Sequence, residues 1–337
     1  MHTEPMESKK VLLTGVAGFL GSNLLTKLLA EGHQVTGIDN LSMGNLRNIQ
    51  AHADNPAFSF LQRDIVDMDT FDSLQEDFDV IVHLAAFKIP RYGKAVDTLR
   101  INAKGSENIL EFARERKLKT VMASTSDVYG MNPDLPFRED GVHVIGNSKV
   151  PRWAYAVSKL FDEHLGLAYM EDYGFPVVLL RFFGSYGPHQ HLSWWGGPQS
   201  VFIDCLLKGQ PIPIHGDGSQ TRTFTYVDDT VNGIYAATMK PEADGEIFNI
   251  GADKEITILG LANLLHRIAG GEGDANVNII PYDQISAGRK YQDVMRRVPD
   301  TTKAQTILGV KAQVDVEEGM RRAFEWQRSV TEATALV

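Results

Sequence analysis

The chain has one cysteine, Cys205, in 337 residues, so no disulfide can close within it. No apolar stretch approaches the ~20 residues that a membrane-spanning helix needs. The polar start MHTEPMESKK lacks an apolar signal region, which predicts a cytoplasmic protein with no membrane partner. Positive charge is also short: 33 Lys and Arg face 43 Asp and Glu, a formal net charge of -10. Nucleic acid and acidic membranes are bound by basic faces, so neither is expected as a partner. Any anionic ligand must instead meet a local cluster of positive charge. The mixed run EFARERKLK at 111–119 reads as a solvated helix face. Internal repeats and low-complexity linkers are absent too, and two halves sharing one body are expected. With 43% hydrophobic and 23% charged residues, the composition is that of an ordinary globular protein.

What is present is an alternation. Short apolar runs at KVLLTG (10–15), QVTGID (34–39), FSFLQRD (58–64), DVIVHLA (79–85), TVMAST (120–125) and VVLLRF (177–182) read as strands, with helical patterns between most of them. That order predicts an α/β fold, a Rossmann-like doubly wound parallel sheet covered on both faces. The second half is less regular. It holds the segment YGPHQHLSWWGGPQS, a turn at HGDGSQ, a strand at GEIFNIG (245–251), a helix near 257–269 and an amphipathic last helix from about Asp315.

TGVAGFLG places Gly15, Gly18 and Gly21 after the first strand and at a helix start, where missing side chains let backbone N–H groups approach a pyrophosphate. A glycine pattern alone is weak. Here Asp39 follows at the end of the second strand, where a carboxylate accepts from both hydroxyls of an adenosine ribose and repels a 2'-phosphate. The expected cofactor is therefore NAD. Asp64 is placed to reach the adenine amino group, and the small pair Ala85-Ala86 leaves room for the dinucleotide. The expected contacts are Gly15, Gly18, Phe19, Leu20, Gly21, Asp39, Asn40, Asp64, Ile65, Leu84, Ala85 and Ala86, joined by Tyr155 and Lys159. No metal site is expected.

In PRWAYAVSK (151–159), Arg152, Tyr155 and Lys159 point the same way on a helix, while Trp153, Val157, Leu160, Phe161 and Leu165 suggest that the remaining surface is largely buried. An isolated Tyr-x-x-x-Lys is common by chance. In combination, TGVAGFLG, GIDN, HLAA, STSDVYG, YAVSK, RFFGSYGP, GDGSQTR and RRVPDTTKA resemble, in order from about Lys9 to Trp326, the extended short-chain dehydrogenases/reductases that act on nucleotide sugars. STSDVYG, PRWAYAVSK and YQDVMRR are most similar to the UDP-glucuronate decarboxylases, particularly the decarboxylase domain of the aminoarabinose pathway.

The resemblance implies a triad, and its chemistry is sound. A sugar hydroxyl is oxidised only if a base removes its proton, and a free tyrosine, with a pKa of about 10, is mostly protonated at neutral pH. Lys159 and the positive nicotinamide favour the phenolate of Tyr155, and Thr125 holds the same sugar oxygen. A uronic acid substrate explains Arg152, whose guanidinium would meet the C6 carboxylate beside Ser126. The resemblance gives Asp127 an acid/base role and Arg297 an electrostatic or proton-relay role near C5. For Asp127 the alternative is a turn residue capping an N–H, and for Arg297 a diphosphate ligand. Arg222 and Arg289 are expected on the diphosphate. Trp194 and Trp195 stack on a base, or belong to a loop or subunit contact. Two positions depart from the family pattern: Asp127, where relatives usually have glutamate, and Gly184, where they usually have asparagine.

The expectation is an NAD-binding domain over 1–180, with returns near 223–250, and a smaller C-terminal substrate-binding lobe from 181–222 and 251–330. The expected reaction is oxidative decarboxylation of UDP-glucuronate to UDP-4-keto-pentose or UDP-xylose. A 4-epimerase of a UDP-hexose or UDP-uronate is the alternative, a 4,6-dehydratase the third, and a silent NAD-sensing scaffold the non-enzymatic one. The resemblance also implies a homodimer through the helices near 95–116 and 152–172.

Overall fold

The computed structural model describes residues 7–88, 94–285 and 291–335. Seven parallel strands form the central sheet: β1 (Lys10–Thr14), β2 (Gln34–Asp39), β3 (Phe58–Gln62), β4 (Val80–His83), β5 (Lys119–Thr125), β6 (Val177–Phe182) and β7 (Ile247–Ile250). Their spatial order is β7-β6-β5-β4-β1-β2-β3. The order reverses between β1 and β4, and the crevice at the carboxyl ends of those two strands is where an open parallel sheet takes its ligand.

The strands are apolar on both faces because helices cover both. Val11 and Leu13 pack into one core and Leu12 into the other, the period-two alternation of a strand. The covering helices include α1 (Phe19–Ala30), α2 (Ala95–Arg116), α3 (Trp153–Tyr173) and α5 (Val227–Met239), while α4 (Pro198–Leu207), α6 (Ile258–Ile268) and α7 (Val316–Ala335) pack on one another. No helix among the described residues is long and apolar enough to cross a membrane.

Beyond β6 the chain forms small strand pairs: 185–186 with 225–226, 212–215 with 277–280, and 221–223 with 255–257. These strands were not foreseen, because runs of two to four residues show no period. Helix α3 corrects a second expectation. It starts at Trp153, with Arg152 just before it, and it is not buried all round. Val157 and Phe161 are exposed.

Candidate active site

The first element of the site is the turn between β1 and α1. Gly18 is the N-cap of α1 and offers no side chain to cap the first-turn N–H groups, so those donors and the positive helix end suit an anion. Gly21 is needed for packing. A Cβ there would lie 2.0 Å from the carbonyl oxygen of Gly15.

Asp39, buried at the end of β2, accepts from the Ala17 N–H at 3.0 Å and the Leu41 N–H at 2.8 Å. Burial pushes its carboxyl above the ordinary value, and these amides offset part of that cost. Asn40 donates to Asp64 at 2.8 Å. Together with Phe19, Leu20, Ile65, Leu84, Ala85 and Ala86 they line one end of a cleft of about 1010 Å³. Uncapped donors, a buried carboxylate at the next strand end and small residues after β4 fit a dinucleotide.

At the middle of the cleft β5 ends on Thr125, followed by a short turn at Ser126–Tyr129. Thr125 Oγ1 accepts from the Asp127 N–H at 3.2 Å. Tyr155 and Lys159 reach the same cleft from α3. Burial pushes the Tyr155 hydroxyl well above its ordinary value, and the charges of Asp127 and Asp162 add to this. Lys159 is itself buried and donates to Asp162 Oδ2 at 2.7 Å.

The other end is built from charge. Arg152 Nη1 donates to the Gln292 carbonyl at 2.8 Å and to Asp293 Oδ1 at 2.9 Å, while its Nη2 lies 3.4 Å from Asp127. Arg222 donates to the same Asp293 oxygen at 2.9 Å. Arg297 pairs with Asp127 at 2.7 Å and approaches the Ser126 hydroxyl at 3.4 Å. Among the described residues, three guanidinium groups thus share two carboxylates, leaving positive charge in excess inside an acidic protein. Burial pulls Arg297 down to about 10, against the pull of Asp127, and among the described residues its Nε is buried without a partner. Burial also works against the charge of Arg152, but Asp127 and Asp293 more than compensate and hold its pKa above the ordinary value.

The residues expected from sequence therefore meet in one cleft, with one exception: Arg289 lies outside the described residues. Three neighbours had not been singled out. Asp293 sits in the quoted YQDV and organises two arginines. Lys88 follows Ala85-Ala86 and lines the cleft, where burial lowers its ammonium to about 8 against the pull of Asp127. Its signal was its place in a loop after a parallel strand, where functional side chains concentrate. Asp162 had none, because an acid three residues after a lysine reads as a surface pair.

The Gly184 departure has a geometric cause. Its φ is 54°, and a Cβ would lie 2.1 Å from the Thr223 carbonyl oxygen, so no larger residue fits without moving residue 223. Trp194 stacks on His215 with ring centres 4.3 Å apart, and Trp195 meets Phe87 edge-on at 5.2 Å. Both tryptophans line the cleft. Behind the turn at 126–129, buried Arg181 pairs with Glu163 at 2.7 Å and donates to Tyr129 Oη at 2.9 Å. Tyr129 in turn donates to Asn249 at 2.7 Å. This tie holds the turn at 126–129 against α3, β6 and β7.

The profile of the NAD dependent epimerase/dehydratase family matches residues 11–251. A UDP-N-acetyl-alpha-D-glucosaminuronate decarboxylase from Bacillus cytotoxicus is 33% identical, over 96% of this chain and 98% of its own. UDP-glucuronic acid decarboxylase 1 from Xenopus tropicalis is 32% identical, over 98% of this chain and 74% of its own. Among solved structures, UDP-glucuronic acid 4-epimerase from Bacillus cereus, in complex with UDP-glucuronic acid and NAD, superposes with a TM-score of 0.83. It is 32% identical and covers 95% of this chain and 99% of that one. Decarboxylases and epimerases thus stand at similar distances, and with them this chain belongs to the NAD dependent epimerase/dehydratase family, as an NAD-dependent nucleotide-sugar enzyme on an extended short-chain dehydrogenase/reductase fold.

Proposed function

We propose that the protein decarboxylates UDP-glucuronate, giving UDP-4-keto-pentose and, after re-reduction, UDP-xylose. The observation that carries this reading is the charged end of the cleft, where Arg152, Arg222 and Arg297 outnumber Asp127 and Asp293 beside Thr125 and Tyr155. A diphosphate and a uronate carboxylate both need such a surplus, whereas a neutral hexose brings no charge at C6. Similarity to two decarboxylases of UDP-linked uronic acids supports it.

The chain's residues divide the work. Asp39 receives the adenosine ribose and the N-terminus of α1 the pyrophosphate. Tyr155 removes the C4 hydroxyl proton, and Thr125 holds that oxygen in place. Bound NAD supplies the two-electron oxidation at C4 and its later reversal. The resulting β-keto acid loses carbon dioxide when the C5–C6 electron pair moves through C5 to the C4 oxygen. There the Thr125 and Tyr155 hydroxyls stabilise the negative charge. Arg152 orients the carboxylate with Ser126, yet its own bonds to Asp293 dilute its grip, so the departing neutral carbon dioxide is not held back. A proton then returns to C5, with Asp127 as the acid and Arg297 as its electrostatic partner in the roles that the resemblance gives them. Mass spectrometry of products from a panel of UDP-sugars, with carbon dioxide measured alongside, tests this; intact UDP-uronate or hexose products overturn it.

The second reading, 4-epimerisation of a UDP-uronate, is favoured by one feature. Asp127 is clamped between Arg297 and Arg152, a setting for an electrostatic anchor more than for a proton donor. The similar Bacillus cereus epimerase, in complex with UDP-glucuronic acid, fits that reading.

Assembly belongs to the same proposal. Helices α2 and α3 pack side by side and expose Val96, Leu99, Val157 and Phe161, apolar surface that a second copy would cover. Sedimentation of the protein and of Phe161→Asp, with a dimer expected only for the first, checks it.

A further inference from the structure

The lysine of the Tyr-x-x-x-Lys pair does not stand as a lone cation beside Tyr155. Its ammonium is 2.7 Å from Asp162 Oδ2, one turn further along α3, and the two side chains are 2% and 3% exposed. Asp162 is only half satisfied. Ser106 of α2 lies beside it and favours its charge, but among the described residues no donor meets Oδ1 at hydrogen-bond geometry. A buried carboxylate with an unmet oxygen is costly, and burial pushes its pKa up against the pull of Lys159. A leucine or alanine there would avoid that cost.

The other groups around the pair leave its charge balance local. From β4, His83 is buried and held down to about 3, chiefly by burial and then by Lys159, so it is neutral. It shares a 2.7 Å hydrogen bond with Thr14 of β1. Glu163, next on α3, is committed to Arg181 of β6. From the turn after β5, Asp127 faces Tyr155 but is paired with Arg297. Asp162 is then the charge on its own helix that raises Tyr155, and Lys159 is the cation that Asp162 holds.

We propose that Asp162 is a positioning residue for the catalytic base: it holds the Lys159 ammonium in a buried pair and offsets its charge, and so sets the pH at which Tyr155 becomes a phenolate. The proposal rests on Tyr155 being the base. Its test avoids the substrate, so failure of the assigned reaction and failure of this inference are distinguishable. The ionisation of Tyr155 is followed in the NAD-bound protein by the ring Cζ resonance of 13C-labelled tyrosine, assigned through its loss in Tyr155→Phe. Asp162→Asn removes the charge at nearly constant shape, leaving the ammonium uncompensated. A charge of one sign lost at this range favours the phenolate, and the midpoint should fall by about one pH unit. Asp162→Glu keeps the charge and should return the midpoint to that of the parent. If Asp162→Asn does not fold, Asp162→Ala, which admits water beside the lysine, should show the same fall. A purely structural Asp162 would lower the melting temperature while leaving the midpoint in place, and that result overturns the inference, as does an equal shift in Asp162→Asn and Asp162→Glu.

Discussion

The two ends of the cleft are built by opposite means. The dinucleotide end consists of backbone: a helix N-terminus left without a side-chain cap at Gly18, a close approach at Gly21, and one carboxylate, Asp39, itself held by two amides. The sugar end consists of long charged side chains, Arg152, Arg222 and Arg297, cross-tied through Asp127 and Asp293. A backbone surface recognises a shape common to many enzymes of this family. A charged side-chain network is rebuilt by a few substitutions, and there decarboxylase and epimerase can part. The difference implies that added atoms damage the first end and removed charges the second.

The largest effect is expected where the two ends meet. Tyr155→Phe keeps the ring and loses the base, so the rate of NADH formation in a single turnover should fall about 10²- to 10⁴-fold, with folding little changed. An undiminished rate breaks the assignment of the base. Next comes the sugar end. Arg152→Ala should weaken UDP-glucuronate binding or turnover by about 1.5–3 kcal/mol, roughly ten- to hundredfold. Binding of uncharged UDP-glucose should change little, and so should NAD affinity. An unchanged ratio of the two sugar nucleotides, read by titration calorimetry, would move the reading to the epimerase.

At the dinucleotide end Gly21→Ala should show the complementary pattern. The added methyl must push against the Gly15 carbonyl, so about 1–3 kcal/mol of stability should be lost, with weaker NAD binding. Thermal melting with and without NAD measures both, and a variant with parent-like NAD affinity contradicts the close approach. The smallest effect is a pH response. The Asp39 carboxyl is raised above 3.8 in the folded protein, so a proton binds the folded state more readily than the unfolded chain. Acidification therefore relieves the burial cost in the free protein while removing the ribose acceptor. NAD affinity should decline on acidification from a higher pH than an ordinary aspartate would give, and Asp39→Asn should flatten that decline. A parent profile identical to that of Asp39→Asn argues against the carboxylate as the ribose contact.

Legibility in the sequence follows the same division. The strand–turn–helix at 10–30, Asp39 at the next strand end and Tyr155–Lys159 on one helix are readable because each feature spans a few residues and obeys a fixed period. The buried role of Asp162 was hidden, since spacing alone does not tell a surface pair from a core pair. Likewise Val157 and Phe161 read as core and stand on the surface. The short strands between 185 and 280 had no visible period, because each depends on a partner far along the chain.

By itself, then, the sequence determined the sheet and the cofactor and pointed to Tyr155 as the base, all of which rest on local backbone geometry and periodic burial. The tertiary structure alone decided how the arginines are shared. Arg152 meets Asp293 across 141 positions and Arg297 approaches Ser126 across 171. Contacts at such separations follow from how whole elements pack, and which carboxylate serves which guanidinium is settled only when burial forces every charge in one cleft to find a partner.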